Sequence, residues 1–546
     1  MTDYNLGRYG RQATTKSAEA QQWFDRGLVW TYAYNHEEAV RCFEEALNLD
    51  PDFAMAHWGV AYAVGPNYNK PWEAFEPEEQ PDALARARAA LSAAGAAQAS
   101  PVEKALIEAL GARYPETADI ESFEPWNDAY ADAMRAVHKV HPDDLDVTAL
   151  FAEAIMNRTP WQLWDLAAGK PKDGADTAEA IAVLDRAFES LPGAWTHPGL
   201  LHMYIHLMEM SPHPERALRH GDALNGLVPD AGHLVHMASH IDVLCGDYQN
   251  VVARNQAAVA VDRKYLAHRG PENFYSVYRC HNYHFIIYGA MFLGQPEPAL
   301  AAADELIDTL PAEILRPLAD WFEAFVPMRQ HVLIRFGRWE AILEQALPED
   351  AELFSVTTAM MRYARTVALA NLGRTADAEQ ELIAFRKAVA AVPESRMLFN
   401  NTCRDILAVA DRMAEGELAY HQGRHEEAFA ALRQAVETDD TLPYDEPWGW
   451  MQPARHALGA LLLEQGQTEE AEAVYRADLG LDTTLARACQ HPDNLWSLHG
   501  LVECLDRRGA GASAEAAVLR QRLEHALARA SVPVRASCYC RGRQAA

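Results

Sequence analysis

The sequence predicts an all-α protein built of stacked helical hairpins, and three observations lead there. At 546 residues the chain exceeds what one compact core sustains, which leaves several globular domains or one elongated repeat that grows without a central core. Hydrophobic residues make up 49%, Ala and Leu are abundant, and runs rich in Val, Ile and Thr at period two are scarce, a composition that favours helices over strands. The third observation is internal repetition. In "FDRGLVWTYAYNHEEAVRCFEEALNLDPD", Gly27, Ala39 and Ala46 put small residues where two helices touch, Phe43 fills the gap between them, and Pro51 stops the second helix.

Those residues fall at positions 8, 20, 24, 27 and 32 of the 34-residue tetratricopeptide repeat (TPR). Similar halves recur at 363–385, at "GELAYHQGRHEEAFAALRQAVETDD" (416–440) and at "ALGALLLEQGQTEEAEAVYRADL" (457–479), so the pattern reaches both ends of the chain. The expected architecture is a TPR-like helical-hairpin solenoid, a right-handed superhelix with a concave groove lined by the first (A) helix of each pair. Residues 1–20 read as an N-terminal tail, 21–156 as N-terminal repeats, 157–178 as a Trp-, Pro- and Gly-rich insertion loop, 179–310 as central His-rich repeats, 311–530 as C-terminal repeats, and 531–546 as a tail.

Charge and targeting narrow the function. A formal net charge of -30 opposes nucleic-acid binding, which needs clustered Lys and Arg to neutralise phosphates. The N-terminus has no apolar signal region and the longest apolar runs, such as "FIIYGAMFLG", are too short to span a bilayer, so a cytoplasmic protein without membrane contact is expected. The cysteines are scattered, as buried thiols in a reducing compartment are, except for Cys538 and Cys540 in "CYC". No phosphate-binding or dinucleotide glycine fingerprint appears, no G-x-S-x-G and no H-E-x-x-H.

Histidine carries the chemical signal. Of 22 histidines, 11 lie between His197 and His284. With Ala217 in the position 20 role, His202 falls at position 5, His206 at 9 and Glu209 at 12. Val251 in that role puts His233 at 2, His236 at 5 and His240 at 9, and Ala299 puts His281 at 2, His284 at 5 and Tyr288 at 9. Positions 2, 5 and 9 share one helical face, which in TPR geometry looks into the groove. His202 to His236 and His206 to His240 are each one repeat apart, which sets equivalent imidazoles side by side. His197, His213 and His220 fall off that face and read as capping or supporting residues.

Imidazoles at i and i+4 on adjacent helices suit a transition metal, with copper or iron favoured and zinc the alternative, whereas Mg and Ca prefer oxygen. The expected ligands are His202, His206, His233, His236, His240, His281 and His284, with Cys538 and Cys540 as soft ligands or a redox pair if the tail folds back. Glu209 and Tyr288 are the expected catalytic residues. Asn157, Trp161, Tyr204, Tyr283 and Arg279 are expected to contact a small-molecule or peptide substrate in the groove.

Nine words mark a further resemblance, among them "AHWGVAYAVGPNYNKPW" (56–72), "IMNRTPWQLWD" (155–165), "THPGLLHMYIHLMEMSPHPERAL" (196–218), "DAGHLVHMASHI" (230–241), "YDEPWGWMQPARHALGALLL" (444–463), "HPDNLWSLHGL" (491–501) and "ASCYC" (536–540). Through them nearly the whole chain resembles a group of bacterial TPR proteins of about this length, mostly without assigned activity. The resemblance implies a TPR solenoid whose His-rich helices and CxC tail belong to a shared site, and it implies no reaction. Some relatives carry cysteines just before the W-G of the first word, where this chain has "FAMAHWG". The expected function is a metal-dependent enzyme, oxidoreductase before Zn hydrolase. The alternatives are a non-catalytic peptide-binding TPR scaffold and a metal storage or delivery protein.

Overall fold

The computed structural model describes residues 4–114 and 122–541. The outer ends of both tails, 1–3 and 542–546, and residues 115–121 of the N-terminal repeat segment lie outside the described residues. The chain divides into two compact units, 1–241 and 242–546, and the division falls inside the segment read as the central repeats.

Each unit is a run of helical hairpins. The first opens with Ala18–Tyr32 against His36–Leu49, continues through Ala54–Ala63, Glu79–Ala96, Pro101–Gly111 and Glu124–Val140, and reaches Leu145–Met156, Thr177–Ser190 and Pro198–Glu209. The second contains the pairs Ser276–Phe292 with Pro296–Asp308, Ser355–Asn371 with Thr375–Ala391, Cys403–His421 with His425–Asp440, and Ala454–Glu464 with Thr468–Asp478. Strand structure among the described residues is limited to an isolated bridge and two antiparallel two-residue ladders, Trp164–Asp165 with Lys170–Pro171 and Met397–Leu398 with Asn401–Thr402. The all-α architecture is therefore as the sequence predicts.

Local chemistry starts and stops these helices. Ser17 caps Ala18–Tyr32 by accepting from Ala20 N, Asn35 caps His36–Leu49 by accepting from Glu38 N, and Ser100 with Glu103 forms a reciprocal capping box on Pro101–Gly111. The hairpin turns close through glycines in the left-handed region, including Gly294, Gly373, Gly423 and Gly466 at φ 71° to 78°. In each, the glycine N–H donates three residues back and the next N–H five residues back, which satisfies carbonyls the helix leaves open.

The pairs are locked by aromatic residues seated between glycines of successive helices. Phe43 is fully buried between Gly27 and Gly59, and a Cβ added at either glycine would sit 2.6 Å from its ring. Tyr475 repeats the device in the second unit, where a Cβ would meet its ring at 2.5 Å from Gly459 and 2.2 Å from Gly500. One aromatic ring thus ties its own hairpin to a neighbouring helix at the closest approach of the backbones.

Residues 157–176 form an anchored connection, and the helix Thr177–Ser190 begins inside the segment read as a loop. The Trp164 indole donates to Leu207 O at 2.7 Å and Thr177 Oγ1 donates to Leu163 O at 2.5 Å, both buried. The first bond satisfies a carbonyl in the last turn of Pro198–Glu209, which the helix cannot pair internally.

Gly59→Ala is expected to lower stability by about 1–3 kcal/mol, because overpacking against the Phe43 ring outweighs the better helix propensity of alanine. Urea denaturation followed by far-ultraviolet circular dichroism checks this through a lower midpoint at unchanged slope.

Candidate metal centre

The helix Pro198–Glu209 is buried at every one of its residues. A helix hidden on all sides carries no solvent-facing stripe, so its polar side chains must be satisfied inside the protein. His197 caps it, accepting from Leu200 N through Nδ1 at 3.1 Å while Nε2 faces Asp146 at 3.3 Å. His202 and His206 follow one turn apart, with ring centroids 4.7 Å from each other.

Hydrogen bonding sets the protonation pattern of these rings. His202 Nδ1 lies 2.7 Å from Tyr32 O, and a carbonyl only accepts, so Nδ1 carries the proton and Nε2 keeps its lone pair. His206 Nδ1 donates to Glu209 Oε1 at 3.1 Å, and His206 Nε2 is buried with no hydrogen-bond partner among the described residues. The Ser239 hydroxyl donates to His236 O at 2.7 Å and so accepts from His236 Nδ1 at 3.2 Å. His240 Nδ1 stands 3.3 Å from Glu209 Oε2. The two oxygens of Glu209 thereby face Nδ1 of two rings from different helices, the carboxylate–histidine arrangement that aims the opposite nitrogen at a metal.

The freed nitrogens converge. His202 Nε2 and His233 Nε2 are 3.1 Å apart, and His236 Nε2 and His240 Nε2 are 2.8 Å apart. Nitrogens bound at about 2.0–2.1 Å to a tetrahedral ion stand roughly 3.3 Å from each other, close to the first of these separations. His202, His206 and His233 each offer one nitrogen, and the three lie within 4.8 Å of one another. Burial pushes His202 down to about 3 and His206, His233 and His240 well below the ordinary imidazole range, with neighbouring imidazoles adding to the effect. The rings are therefore neutral at physiological pH, the state that binds metal.

The pairing differs from the one the repeat register predicts. Equivalent positions would set His202 beside His236, but the nitrogen facing His202 belongs to His233, 31 residues on. The helical run here is broken into Gly232–His236 and Ala238–Leu244, so the second repeat does not continue the straight A helix that the count assumes.

Two aromatics missing from the predicted set, Tyr34 and Tyr68, wall the cluster with Trp161, and a third, Tyr32, contributes only its backbone. Tyr34 has its ring centroid 4.6 Å from His202, 6.0 Å from His206 and 5.7 Å from His233. Tyr68 lies 5.0 Å from His206, and its hydroxyl accepts from Trp161 N at 3.1 Å. Tyr32 supplies the carbonyl for His202. Trp161 itself presents its edge to His206 at 5.9 Å. Tyr34 and Trp161 adopt φ of 54° and 60°, a region that L side chains occupy at a cost of about 1–3 kcal/mol unless the surroundings impose it. Tyr34 stands where Gly373, Gly423 and Gly466 stand in their own hairpins, and it makes the same pair of backbone hydrogen bonds. Comparing "YAYNHEEA" with "NLGRTADA" and "HQGRHEEA" exposes the exchange in the sequence.

The other predicted residues have contacts of their own. Asn157 is buried at the C-cap of Leu145–Met156, its N–H donating to Glu153 O at 2.8 Å. Tyr204 turns away from the cluster, towards the helices before and after its own: it donates to Asp185 at 2.9 Å and stacks on His220 at 3.8 Å. In the second unit, the Arg279 guanidinium donates to the Thr309 hydroxyl, and burial and the neighbouring Glu305 raise the Tyr283 phenol. Tyr288 stacks on Phe292 at 4.4 Å and Trp448 at 5.5 Å. His281 packs on Phe285 and Phe399, both at 4.9 Å, and His284 Nε2 touches Met451 Sδ. Cys538 and Cys540 are joined to each other by a disulfide, which takes both sulfurs out of the thiolate ligand set in this oxidation state. The tail beside them is held by Ser537, whose carbonyl accepts from Arg335 at 3.0 Å and whose hydroxyl donates to His456 O at 2.9 Å.

Residues 20–53 match the tetratricopeptide repeat model. No curated protein matches the sequence. Among solved structures, the chain is similar to the human IFIT1 dimer with m7Gppp-AAAA at 13% identity over 94% of this chain and 91% of that one, with a TM-score of 0.30. It is similar to yeast Tom70 at 10% identity over 93% of each chain, with a TM-score of 0.25, and to the APC/C hetero-tetramer Cut9–Hcn1 at 13% over 95% of each, with a TM-score of 0.24. None of the three bears on the role of a residue.

Because the folded rings titrate far below the unfolded value of about 6.5, the unfolded chain binds more protons than the folded one in mild acid. The contribution of His202, His206, His233 and His240 to stability is thus fully present above about pH 6.5 and is lost as the pH falls towards 3. Melting temperatures of metal-free protein across that range are expected to drop steadily, and the drop is expected to shrink in His206→Gln.

Proposed function

We propose that the protein is a transition-metal-dependent enzyme on a TPR scaffold, with His202, His206 and His233 as the metal ligands. The observation that carries this reading is three buried, neutral imidazoles whose donor nitrogens lie within 4.8 Å of one another. Two of them have their other nitrogen engaged by Tyr32 O and Glu209. Three protein ligands leave coordination positions for substrate, the pattern of catalytic rather than closed structural centres. His236 and His240, aligned by Ser239 and Glu209, supply further nitrogens for a second ion or a larger shell.

All-nitrogen ligation favours copper or iron, with zinc as the alternative, and the chemistry such an ion supplies when bound is oxygen-dependent oxidation of a small molecule or peptide. The chain's own residues perform the remaining work. Glu209 is fully buried, keeps the His206 and His240 rings oriented, and is the group placed to take up a proton at the centre. Tyr34, Tyr68 and Trp161 exclude bulk water from one side of His206. Metal storage is the second reading, favoured by the complete burial of His202 and His206.

The test is elemental analysis of tag-free protein expressed with iron, copper and zinc supplied, followed by oxygen uptake in the presence of a reductant. About one ion per chain or more is expected, with about one ion per chain lost in His202→Ala/His233→Ala and oxygen uptake falling in parallel. Trace metal that the double variant leaves unchanged would sink the proposal, and full metal without oxygen uptake would select storage. Glu209→Gln, which keeps the side-chain volume, is expected to weaken metal affinity about 10–100-fold, read by competition with a chromophoric chelator.

A further inference from the structure

In the second unit, three potential donors come from three different elements. His284 comes from Ser276–Phe292, His331 from Met328–Arg335, and Met451 from the segment that precedes Ala454–Glu464. All three are buried, with His331 the most exposed at 3%. His284 Nε2 lies 2.7 Å from Met451 Sδ. Next to Met451, Gln452 Nε2 donates to His331 O at 2.7 Å, which clamps that segment onto the histidine. Trp450 and Gln452, the two sequence neighbours of Met451, thus both contact His331. Aromatic rings enclose the group: Phe325 is edge-on to His284 at 5.7 Å, Phe399 stacks beside it at 6.5 Å, and Trp450 is edge-on to His331 at 5.2 Å.

Hydrogen bonding leaves these rings poorly served. A neutral imidazole has one donor and one acceptor, and a thioether is only a weak acceptor. His284 Nε2 has only the Met451 thioether for a partner, and His331 Nδ1 is buried without a hydrogen-bond partner among the described residues. Buried nitrogens in that condition are unfavourable unless something takes their lone pairs. A soft metal ion does. Thioether sulfur selects Cu(I) among the biological metals, and a donor set without charge of its own favours a monocation over a dication in an apolar surrounding.

We propose that His284, His331 and Met451 form a Cu(I) site distinct from the three-imidazole centre of the first unit. The site differs in ligand type, and its existence does not depend on that centre being occupied or active. Its sulfur ligand makes it a site for the reduced ion, whereas nitrogen ligands alone accept Cu(II), Fe or Zn as well.

The experiment is anaerobic titration of full-length, tag-free His202→Ala/His206→Ala protein with Cu(I) against bicinchoninate, with the Cys538→Ser/Cys540→Ser changes added so that no tail thiolate contributes sulfur. About one equivalent of Cu(I) is expected to bind in that background, with a sulfur scatterer in its X-ray absorption spectrum. Met451→Leu conserves volume and is expected to remove the sulfur signal and weaken Cu(I) binding by at least about tenfold, and His284→Gln is expected to do the same, both with an unchanged circular dichroism spectrum. Absence of bound Cu(I), or a sulfur signal and affinity that Met451→Leu leaves intact, overturns the proposal. Failure of the first-unit centre appears elsewhere, as equal metal content in wild type and in His202→Ala/His206→Ala.

Discussion

The first unit is organised by a single constraint, the burial of Pro198–Glu209 on every side. A helix in that situation has no water to complete its polar groups, so each must be matched by a neighbour. The Tyr32 carbonyl, the Trp164 indole and the Asp146 carboxylate are such matches, contributed by three different stretches of chain. They hold the helix in one rotational setting, and that setting decides where His202 and His206 point. Glu209 is the strongest case. A fully buried carboxylate is unfavourable unless surrounded by donors, and the donors it finds are imidazoles. The same contact that makes the acid tolerable fixes the rings, so stability and site geometry are two readings of one interaction.

Much of this is legible in the sequence, for reasons that differ between elements. The hairpins announce themselves because Gly27 and Phe43 are required by close backbone approach, and the spacing of such residues is local information. The histidine register was legible for the same reason: His202, His206 and Glu209 share a continuous helix, and 3.6-residue periodicity places them on one side of it. The choice of His233 over His236 as the partner of His202 was not. It depends on an interruption after His236 that no proline or glycine marks, since Met237 stands there. Tyr68 escaped because its contact with His206 spans well over a hundred residues of sequence, and helical periodicity says nothing about such distances. Tyr204 departs from the sequence pattern in the opposite sense. Its neighbours in sequence face the cluster, but its own position points to Asp185 and His220.

The two units carry histidine in different company. In the first, imidazoles meet imidazoles and a carboxylate. In the second, His284 meets a thioether, and a pair of rings, His456 and His491, meets Asp478 at 3.0 and 2.9 Å. Asp478 also accepts from Asn494 and Ser497, which makes it a saturated hub with a structural task, holding the 491–497 stretch against Thr468–Asp478. The count of histidines in a region therefore says less than the identity of the atom each ring faces. Repeat proteins permit this variety because every hairpin contacts only its neighbours, so local chemistry diverges while the frame persists.

Tyr34 shows what that divergence asks of the frame. Its backbone follows the path that glycine follows in the other hairpin turns, and its ring lies over three histidines. A consensus sequence averaged across the repeats would write glycine at that position and give a more relaxed turn. It would also delete a wall of the cluster. Engineering that treats the hairpins as interchangeable modules would thus gain robustness from the one exchange that erases what sets the first hairpin apart.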